Sequence, residues 1–224
     1  MTTLAADAPL SAALLALESW CQDKGLPFEQ AWALPIEKLG RTLALAQART
    51  NLVGDARPAA LCEHLAEALA VAAAAQEALG RAPHTAVDIG AGAGLEALTL
   101  ALCWPQTRVV AVEPRKLRAA FIAEAALAAG FTNVDVIPKT LASCGLGAEF
   151  ELATARAVWP AAEWLQRSRA LLAAGGVTAV HGSAPAAHLA ESVASLEWRA
   201  LASRDVPGER RHAVAVFAPV RGAA

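Results

Sequence analysis

Short apolar runs alternate with helical stretches after residue 85, and this alternation most constrains the fold. The apolar runs are Thr85–Ile89, Arg108–Val112, Val134–Ile137, Leu152–Ala155 and Val177–Val180. The helical stretches are Leu95–Leu102, Lys116–Ala129, Ala161–Leu172 and Ala187–Leu196. Continuous apolar runs are typical of parallel strands that are buried on both faces, and helical crossovers join such strands. The pattern therefore predicts an α/β fold with a doubly wound, mostly parallel sheet.

The C-terminal segment has a different pattern. Two apolar segments, Trp198–Val206 and Arg211–Pro219, flank a Pro207-Gly208 turn. Two strands joined by a tight turn form a hairpin. We therefore expect two antiparallel strands to complete a seven-stranded sheet.

The first third of the chain has a helical pattern. The apolar face consists of Leu10, Leu14, Leu15 and Leu17, and Lys24-Gly25 is a plausible helix end. A second helix is expected from Pro35, and a third after Asp55 with Pro58 in its first turn. No long linker follows, so we expect one compact unit with a helical N-terminal cap (1–80) on a core (81–224).

Composition narrows the function classes. Hydrophobic residues make up 56% of the 224 residues and charged residues 18%, which excludes extensive disorder. The net charge of −2 argues against a generally basic nucleic-acid binder. However, residues 1–80 hold 5 Lys/Arg against 9 Asp/Glu, whereas residues 81–224 hold 14 against 12. The second part of the chain could therefore carry a local basic face.

Several further features favour a cytoplasmic protein without a membrane partner. Polar residues interrupt each apolar stretch, and the N-terminus lacks the basic region of a signal peptide. The four cysteines form no CxxC motif, so we predict buried thiols and no metal site. The six tryptophans are scattered, and we expect most of them in the core.

A glycine loop follows the first predicted strand. Gly90, Gly92 and Gly94 have the spacing GxGxG, and Asp88 lies two residues before the first glycine. A dinucleotide fingerprint requires GxGxxG, but its third glycine position falls on Leu95. Glycines at such a turn allow the backbone to approach a ligand closely. The loop is therefore typical of proteins that bind S-adenosyl-L-methionine (SAM), and we predict that these three glycines hold this cofactor.

An acidic residue ends the second predicted strand. Glu113 follows Val112 and lies 19 residues after Gly94. Carboxylates at this position accept hydrogen bonds from the two ribose hydroxyls of a bound nucleotide. Glu113 is therefore the second predicted part of the SAM site.

These motifs resemble the RsmG (GidB) family, SAM-dependent methyltransferases that modify N7 of a guanine in 16S ribosomal RNA. The resemblance extends from about Asn51 to Ala218. It rests on the order and spacing of five further segments, which are Asn51-Leu52, Glu63–Leu69, Phe131–Val134, Thr154–Ala157 and Gly208–His212. The resemblance implies a Rossmann-like class I methyltransferase fold and the small ribosomal subunit or its RNA as partner. We further expect a monomer.

The resemblance also implies roles for individual residues. It places cofactor contacts on Gly90 and Leu95, the pair that brackets the adenine on Leu141 and Ala142, and an arginine contact on Arg156. On the substrate side we expect His64, His181, Arg210 and Arg211. The sequence assigns no catalytic residue, and the N7 lone pair of guanine carries no proton and needs no general base.

RNA binding requires contacts from lysine and arginine to phosphates. The candidates lie after the second predicted strand and near the C-terminus: Arg115, Lys116, Arg118, Lys139, Arg199, Arg204, Arg210 and Arg211. Ordinary solvated surface is the alternative interpretation of these charges.

The chain departs from the family pattern at three places. Leu95-Glu96-Ala97 lacks the usual proline and glycine after the loop, and His181 replaces a lysine. Glu67-Ala68 replaces an aspartate and a serine. These changes leave two alternatives open, namely a methyltransferase of a small molecule with the same core and a non-catalytic RNA or assembly factor.

Overall fold

A seven-stranded sheet forms the centre of the computed structural model, which describes residues 9–47, 49–182, 196–206 and 212–220. Its strands are β1 (Thr85–Ile89), β2 (Arg108–Val112), β3 (Val134–Ile137), β4 (Phe150–Thr154), β5 (Leu172–Gly182), β6 (Trp198–Val206) and β7 (His212–Pro219). The spatial order is β3-β2-β1-β4-β5-β7-β6. β1 to β5 are parallel to their neighbours, whereas β7 is antiparallel to both β5 and β6. The predicted doubly wound sheet with an antiparallel end is thus confirmed.

Helices cover both faces of the sheet. They are α1 (Leu10–Lys24), α2 (Ala33–Gln47), α3 (Pro58–Leu79), α4 (Leu95–Cys103), α5 (Lys116–Ala129) and α6 (Ala161–Ser168). β2 shows how the sheet divides the core, because Val109 and Ala111 pack on the face that carries α3, α4 and α5. Val110 and Val112 pack on the opposite face with α6. Strands buried on both faces explain the continuous apolar runs of the sequence.

Several boundaries differ from the prediction. The helix expected over Ala161–Leu172 is α-helical to Ser168 and continues as a 3₁₀ turn over Arg169–Leu171, and β5 begins at Leu172 rather than at Val177. Pairing of Leu172 with Phe150 outweighs the helix propensity of the alanines that follow. β4 accordingly spans Phe150–Thr154 rather than Leu152–Ala155. Most of the predicted helix Ala187–Leu196 and the Pro207-Gly208 turn lie outside the described residues.

α3 is the longest described helix, and it packs against α4, β6 and β7. It is long and apolar enough to cross a membrane by length and composition, contrary to the sequence expectation. However, 61% of its most apolar window is buried inside the fold, as in the core helix of a globular protein. Five of the six tryptophans are buried as predicted, and the cysteines are free thiols. Burial is the largest cause that raises the pKa of Cys21 and of Cys62 to about 12.

Candidate functional site

A cavity of about 530 Å³ opens at the carboxyl edge of the parallel strands. Its walls come from the glycine loop after β1, from the segments after β2 and β4, from 52–54 between α2 and α3, and from His64 on α3. Ligands of doubly wound sheets bind at this edge. The volume also falls within the roughly 300–1,000 Å³ typical of small-molecule sites.

The glycine loop begins with two backbone hydrogen bonds to β2. The N–H groups of Gly90 and Ala91 donate to the Val112 carbonyl oxygen at 2.7 and 3.1 Å. Gly90 has φ +73°, and a Cβ atom there would lie 2.6 Å from Cγ2 of Val158. Only glycine fits this position without strain, because the backbone is left-handed and the opposite wall is close.

Gly94 has a different role from the other two glycines. Gly90 and Gly92 line the cavity, whereas Gly94 does not. Gly94 precedes α4 with φ +71°, and a Cβ atom there would lie 2.7 Å from Cγ1 of Ile122 on α5. Its geometry therefore supports close packing between the loop and α5 rather than a ligand contact.

Glu113 fixes the loop from the end of β2. Its Oε2 accepts a hydrogen bond from the Gly92 N–H at 2.8 Å, and its Oε1 accepts one from the Arg115 N–H at 2.8 Å. The residue is buried and lines the cavity. Each carboxylate oxygen keeps a further lone pair. The side chain could thus accept two ribose hydroxyl protons, as a SAM site requires.

Charged side chains form the opposite part of the cavity, which we call the inner wall: His64, Asp88, Glu96 and Arg156. Nη1 of Arg156 lies 2.7 Å from Nδ1 of His64 and also donates to Glu67. Arg156 thus forms an ion pair with Glu67 and also faces the cavity. Its guanidinium group has further donors for a ligand.

Glu96 joins the inner wall to β4 and β5. The Thr154 hydroxyl donates to its Oε1. Nε2 of His181 lies 3.0 Å from its Oε2, although the ring N–H is not aligned as a regular hydrogen bond. Both Glu96 and His181 were noted above as departures from the family pattern. The fold brings these two departures into direct contact.

Burial and neighbouring charges shift the pKa values of Asp88 and Glu96 in opposite directions. Burial, and then the negative charge of Glu96, raises the pKa of Asp88 well above its usual value. Burial also acts to raise the pKa of Glu96, but the effects of His181 and the Thr154 hydrogen bond outweigh it and lower that pKa. Glu96 is thus held as the anion of the inner wall, while the neutral acid is favoured at Asp88.

The pKa of Glu67 is lowered in the same way. Burial acts to raise it, but the interactions with His64 and Arg156 lower it to about 2. Glu67 does not line the cavity and lies behind Arg156. It therefore supplies the counter-charge that keeps Arg156 in place.

A turn from the N-terminal third closes one side of the cavity. Oε1 of Gln47 accepts hydrogen bonds from the N–H groups of Leu52 and Val53, and its Nε2 donates to the Val53 carbonyl at 2.8 Å. Nη2 of Arg118 on α5 donates to the Asn51 carbonyl at 3.0 Å. These bonds hold residues 52–54 against the cavity from both sides.

The structure brings only part of the predicted site together. Gly90, Gly92, Leu95, Glu113, Arg156 and His64 line the cavity. Leu141 and Ala142 form a short turn after β3 and do not line it, and His181 lies behind Glu96. Arg210 and Arg211 lie outside the described residues. Arg204, a candidate phosphate contact, is paired with Glu77 instead.

Sequence reasoning missed Glu96 and Thr154 as members of the site. Glu96 was noted only because it replaces the usual proline after the loop. Its carboxylate lies in the first turn of a helix beside a ligand-binding loop, and this was a usable signal. Ala157, with φ +57°, and Val158 also line the cavity, and nothing in their residue types indicates this. Within the described ranges, no group of three or more His, Cys, Asp or Glu side chains could hold a metal ion.

Comparisons with known proteins agree with this geometry. A family model described as "rRNA small subunit methyltransferase G" matches residues 35–214. The protein of that name from Methylibium petroleiphilum is 29% identical over 160 residues, which is 70% of this chain and 72% of that protein. The one from Polaromonas naphthalenivorans is 33% identical over 145 residues, 62% of this chain and 65% of that protein.

The fold also matches solved structures. A proposed O-methyltransferase from Klebsiella pneumoniae superposes with a TM-score of 0.60 at 13% identity, covering 93% of this chain and 96% of that one. The family model spans most of the chain and includes the glycine loop, Glu113 and the inner wall. The chain therefore belongs to the rRNA small subunit methyltransferase G family and is a SAM-dependent methyltransferase with a class I Rossmann-like fold.

Proposed function

We propose that the protein transfers the methyl group of SAM to N7 of a guanine in small-subunit (16S) ribosomal RNA. The observation that carries this function is the family match over 35–214, which includes the cavity at the carboxyl edge of the sheet. We further propose that it acts as a monomer in the cytoplasm, without a membrane partner.

The residues that line the cavity carry chemical groups of the types that SAM binding requires. Glu113 is placed to bind the ribose hydroxyls, Gly90 and Gly92 allow close approach of the ligand, and Arg156 offers donors to a carboxylate. Leu95 adds an apolar contact, and Leu141 with Ala142 remain our proposal for the adenine contact. When bound, SAM supplies a methyl group that its sulfonium charge activates.

The chain itself then has to orient the acceptor. Guanine N7 has an exposed lone pair and no proton to remove, so no general base is required. Correct placement of the two reactants supplies the rate acceleration. A cavity with fixed walls and no designated catalytic residue suits this reaction.

Unpaired cations beside the cavity favour RNA as the substrate. Most described arginines bind a carboxylate, for example Arg81 with Glu151 and Arg167 with Glu163. Within the described residues, Arg115 and Lys116 form no such ion pair. A second cavity of about 370 Å³ lies between them and the turn at Thr50 and Asn51. These charges are available to phosphates.

Nucleoside mapping of small ribosomal subunits tests the proposal. Subunits from cells that lack this protein are incubated with the enzyme and radiolabelled-methyl SAM. We expect label in a single 7-methylguanosine. Label in a small molecule but not in RNA would support the alternative substrate class. Absence of transfer despite RNA binding would indicate an assembly factor.

A charge variant tests the RNA face separately. Arg115→Ala combined with Lys116→Ala should weaken RNA binding and reduce its salt dependence, because about two phosphate contacts are lost. Arg167→Ala is the matched control, since Arg167 is an exposed arginine already paired with Glu163. Equal effects in both variants would argue against this face.

A further inference from the structure

The inner wall holds two carboxyl groups in the cavity, and their surroundings differ. Asp88 lies near the end of β1, close to the backbone N–H of Ala97 in the first turn of α4. Glu96 receives the Thr154 hydroxyl and faces the His181 ring. A hydroxyl donor and an imidazole are partners for a carboxylate rather than for a neutral acid. Glu96 is therefore the anion that the cavity presents to a ligand.

The amino-acid end of SAM carries one group of each charge. Arg156, the cation of the inner wall, has donors that suit the carboxylate of this end. The remaining lone pairs of Glu96 suit the three N–H donors of an ammonium group, whereas a sulfonium has no such donors. The inner wall thus offers one complementary partner for each charge of an amino-acid group.

We propose that Glu96 binds the α-ammonium group of SAM and that His181 is the positioning residue that holds the Glu96 carboxylate toward the cavity. The inference rests on SAM as the cofactor and adds the residue that recognises its amino-acid end. It also explains why two departures from the family pattern, on α4 and β5, lie in contact.

Three ligands test the role of Glu96. SAM and S-adenosylhomocysteine (SAH) both carry the ammonium group, whereas 5′-methylthioadenosine lacks the whole amino-acid end. At pH 7, calorimetric titration of Glu96→Gln should show about tenfold or greater weakening for SAM and for SAH. The affinity for 5′-methylthioadenosine should be unchanged and thereby controls for folding of the adenosine site.

Other outcomes overturn the inference. Weakening for SAM but not for SAH would assign Glu96 to the sulfonium. Equal weakening for all three ligands would assign it to the loop, and unchanged affinity would exclude it from the site. Failure of the wild-type protein to bind any of the three would instead overturn the cofactor itself.

The role of His181 is tested with the same three ligands. His181→Ala removes the imidazole that lies 3.0 Å from the Glu96 carboxylate, so affinity for SAM and for SAH at pH 7 should fall severalfold, while that for 5′-methylthioadenosine should be unchanged. The charged groups that interact with His181 are Glu96 on α4 and Glu67 on α3.

A second variant separates positioning from a general structural effect. His181→Gln keeps a side-chain N–H donor for the Glu96 carboxylate, so it should recover much of the SAM affinity that His181→Ala loses. Failure to recover it, or equal weakening of 5′-methylthioadenosine in His181→Ala, would overturn the role of His181. Both variants retain Glu96, so this experiment tests the inference even if Glu96→Gln fails to fold.

Discussion

The two ends of the cavity are built in different ways. At the end that we propose for the ribose, called the ribose end, Glu113 accepts hydrogen bonds from the backbone N–H groups of Gly92 and Arg115, so one short segment of chain sets the geometry. At the inner wall, Glu96 on α4 contacts Thr154 on β4 and His181 on β5, and Arg156 contacts His64 on α3. The ribose end is therefore fixed locally, whereas the inner wall forms only when the whole sheet is assembled.

This difference determines which residue types each end of the cavity can accept. A backbone-held loop accepts few residue types, because its turns require glycine and its donors are main-chain groups. A side-chain network can exchange one pair of partners for another if both change together. The Glu96–His181 contact joins two positions at which this chain departs from the family pattern.

We expect the largest loss of stability from a substitution in the glycine loop where the loop packs against α5. Gly94→Ala places a Cβ atom 2.7 Å from Ile122 in a left-handed backbone, so we expect a loss of about 2–5 kcal/mol in the free energy of unfolding. Gly92→Ala is the control, because it shares the left-handed backbone but its Cβ atom would come no closer than 3.9 Å to its neighbours, an ordinary contact distance, and it should cost about 1–2 kcal/mol. Urea unfolding measures both, and equal losses would contradict the packing role of Gly94.

The ion pair behind the inner wall should make stability depend on pH. The pKa of Glu67 is lowered to about 2, so its contribution is fully present above the unfolded value near 4.5 and is lost as pH falls toward 2. The contribution is on the order of 3 kcal/mol. Unfolding measured between pH 2 and pH 7 should lack this part of the dependence in Glu67→Gln.

An exposed ion pair provides the comparison. Glu163→Gln removes the partner of Arg167 on α6, where both side chains are more than two-fifths exposed. Glu163→Gln should change the free energy of unfolding by no more than about 0.5 kcal/mol. If Glu67→Gln and Glu163→Gln changed the free energy of unfolding by similar amounts, burial would add nothing to the stabilisation from the Glu67–Arg156 ion pair.

The sequence predicted the ribose end and the inner-wall residues His64 and Arg156, but not the contact between Glu96 and His181. Gly90 and Glu113 were identifiable because a strand, a turn and the next strand follow one another along the chain. Glu96 and His181 lie on elements that meet only through the order β1-β4-β5, which no local pattern specifies. The start of β5 was missed for a related reason, since pairing with Phe150 overrides local helix propensity there.

The ribose end should affect every adenosine ligand alike. Glu113→Gln keeps one acceptor oxygen but removes the charge that we propose to bind the two ribose hydroxyls, so affinity should fall about 30-fold. The loss should be the same for SAM, SAH and 5′-methylthioadenosine, in contrast to Glu96→Gln. Calorimetric titration of the three ligands measures it, and a loss confined to SAM and SAH would place Glu113 at the wrong end of the cavity.

Asp88→Asn should have the smallest effect, although it alters a buried carboxyl next to the glycine loop. Because the folded pKa of Asp88 is raised, this group stabilises the fold at low pH and loses that contribution as pH rises through the folded value. The substituted asparagine resembles the neutral acid and can still accept the Ala97 N–H. We therefore expect the free energy of unfolding at pH 7 to stay within about 1 kcal/mol of wild type or to rise. A loss as large as that of Glu67→Gln would mean that Asp88 is ionised and shares with Glu96 the role of the inner-wall anion.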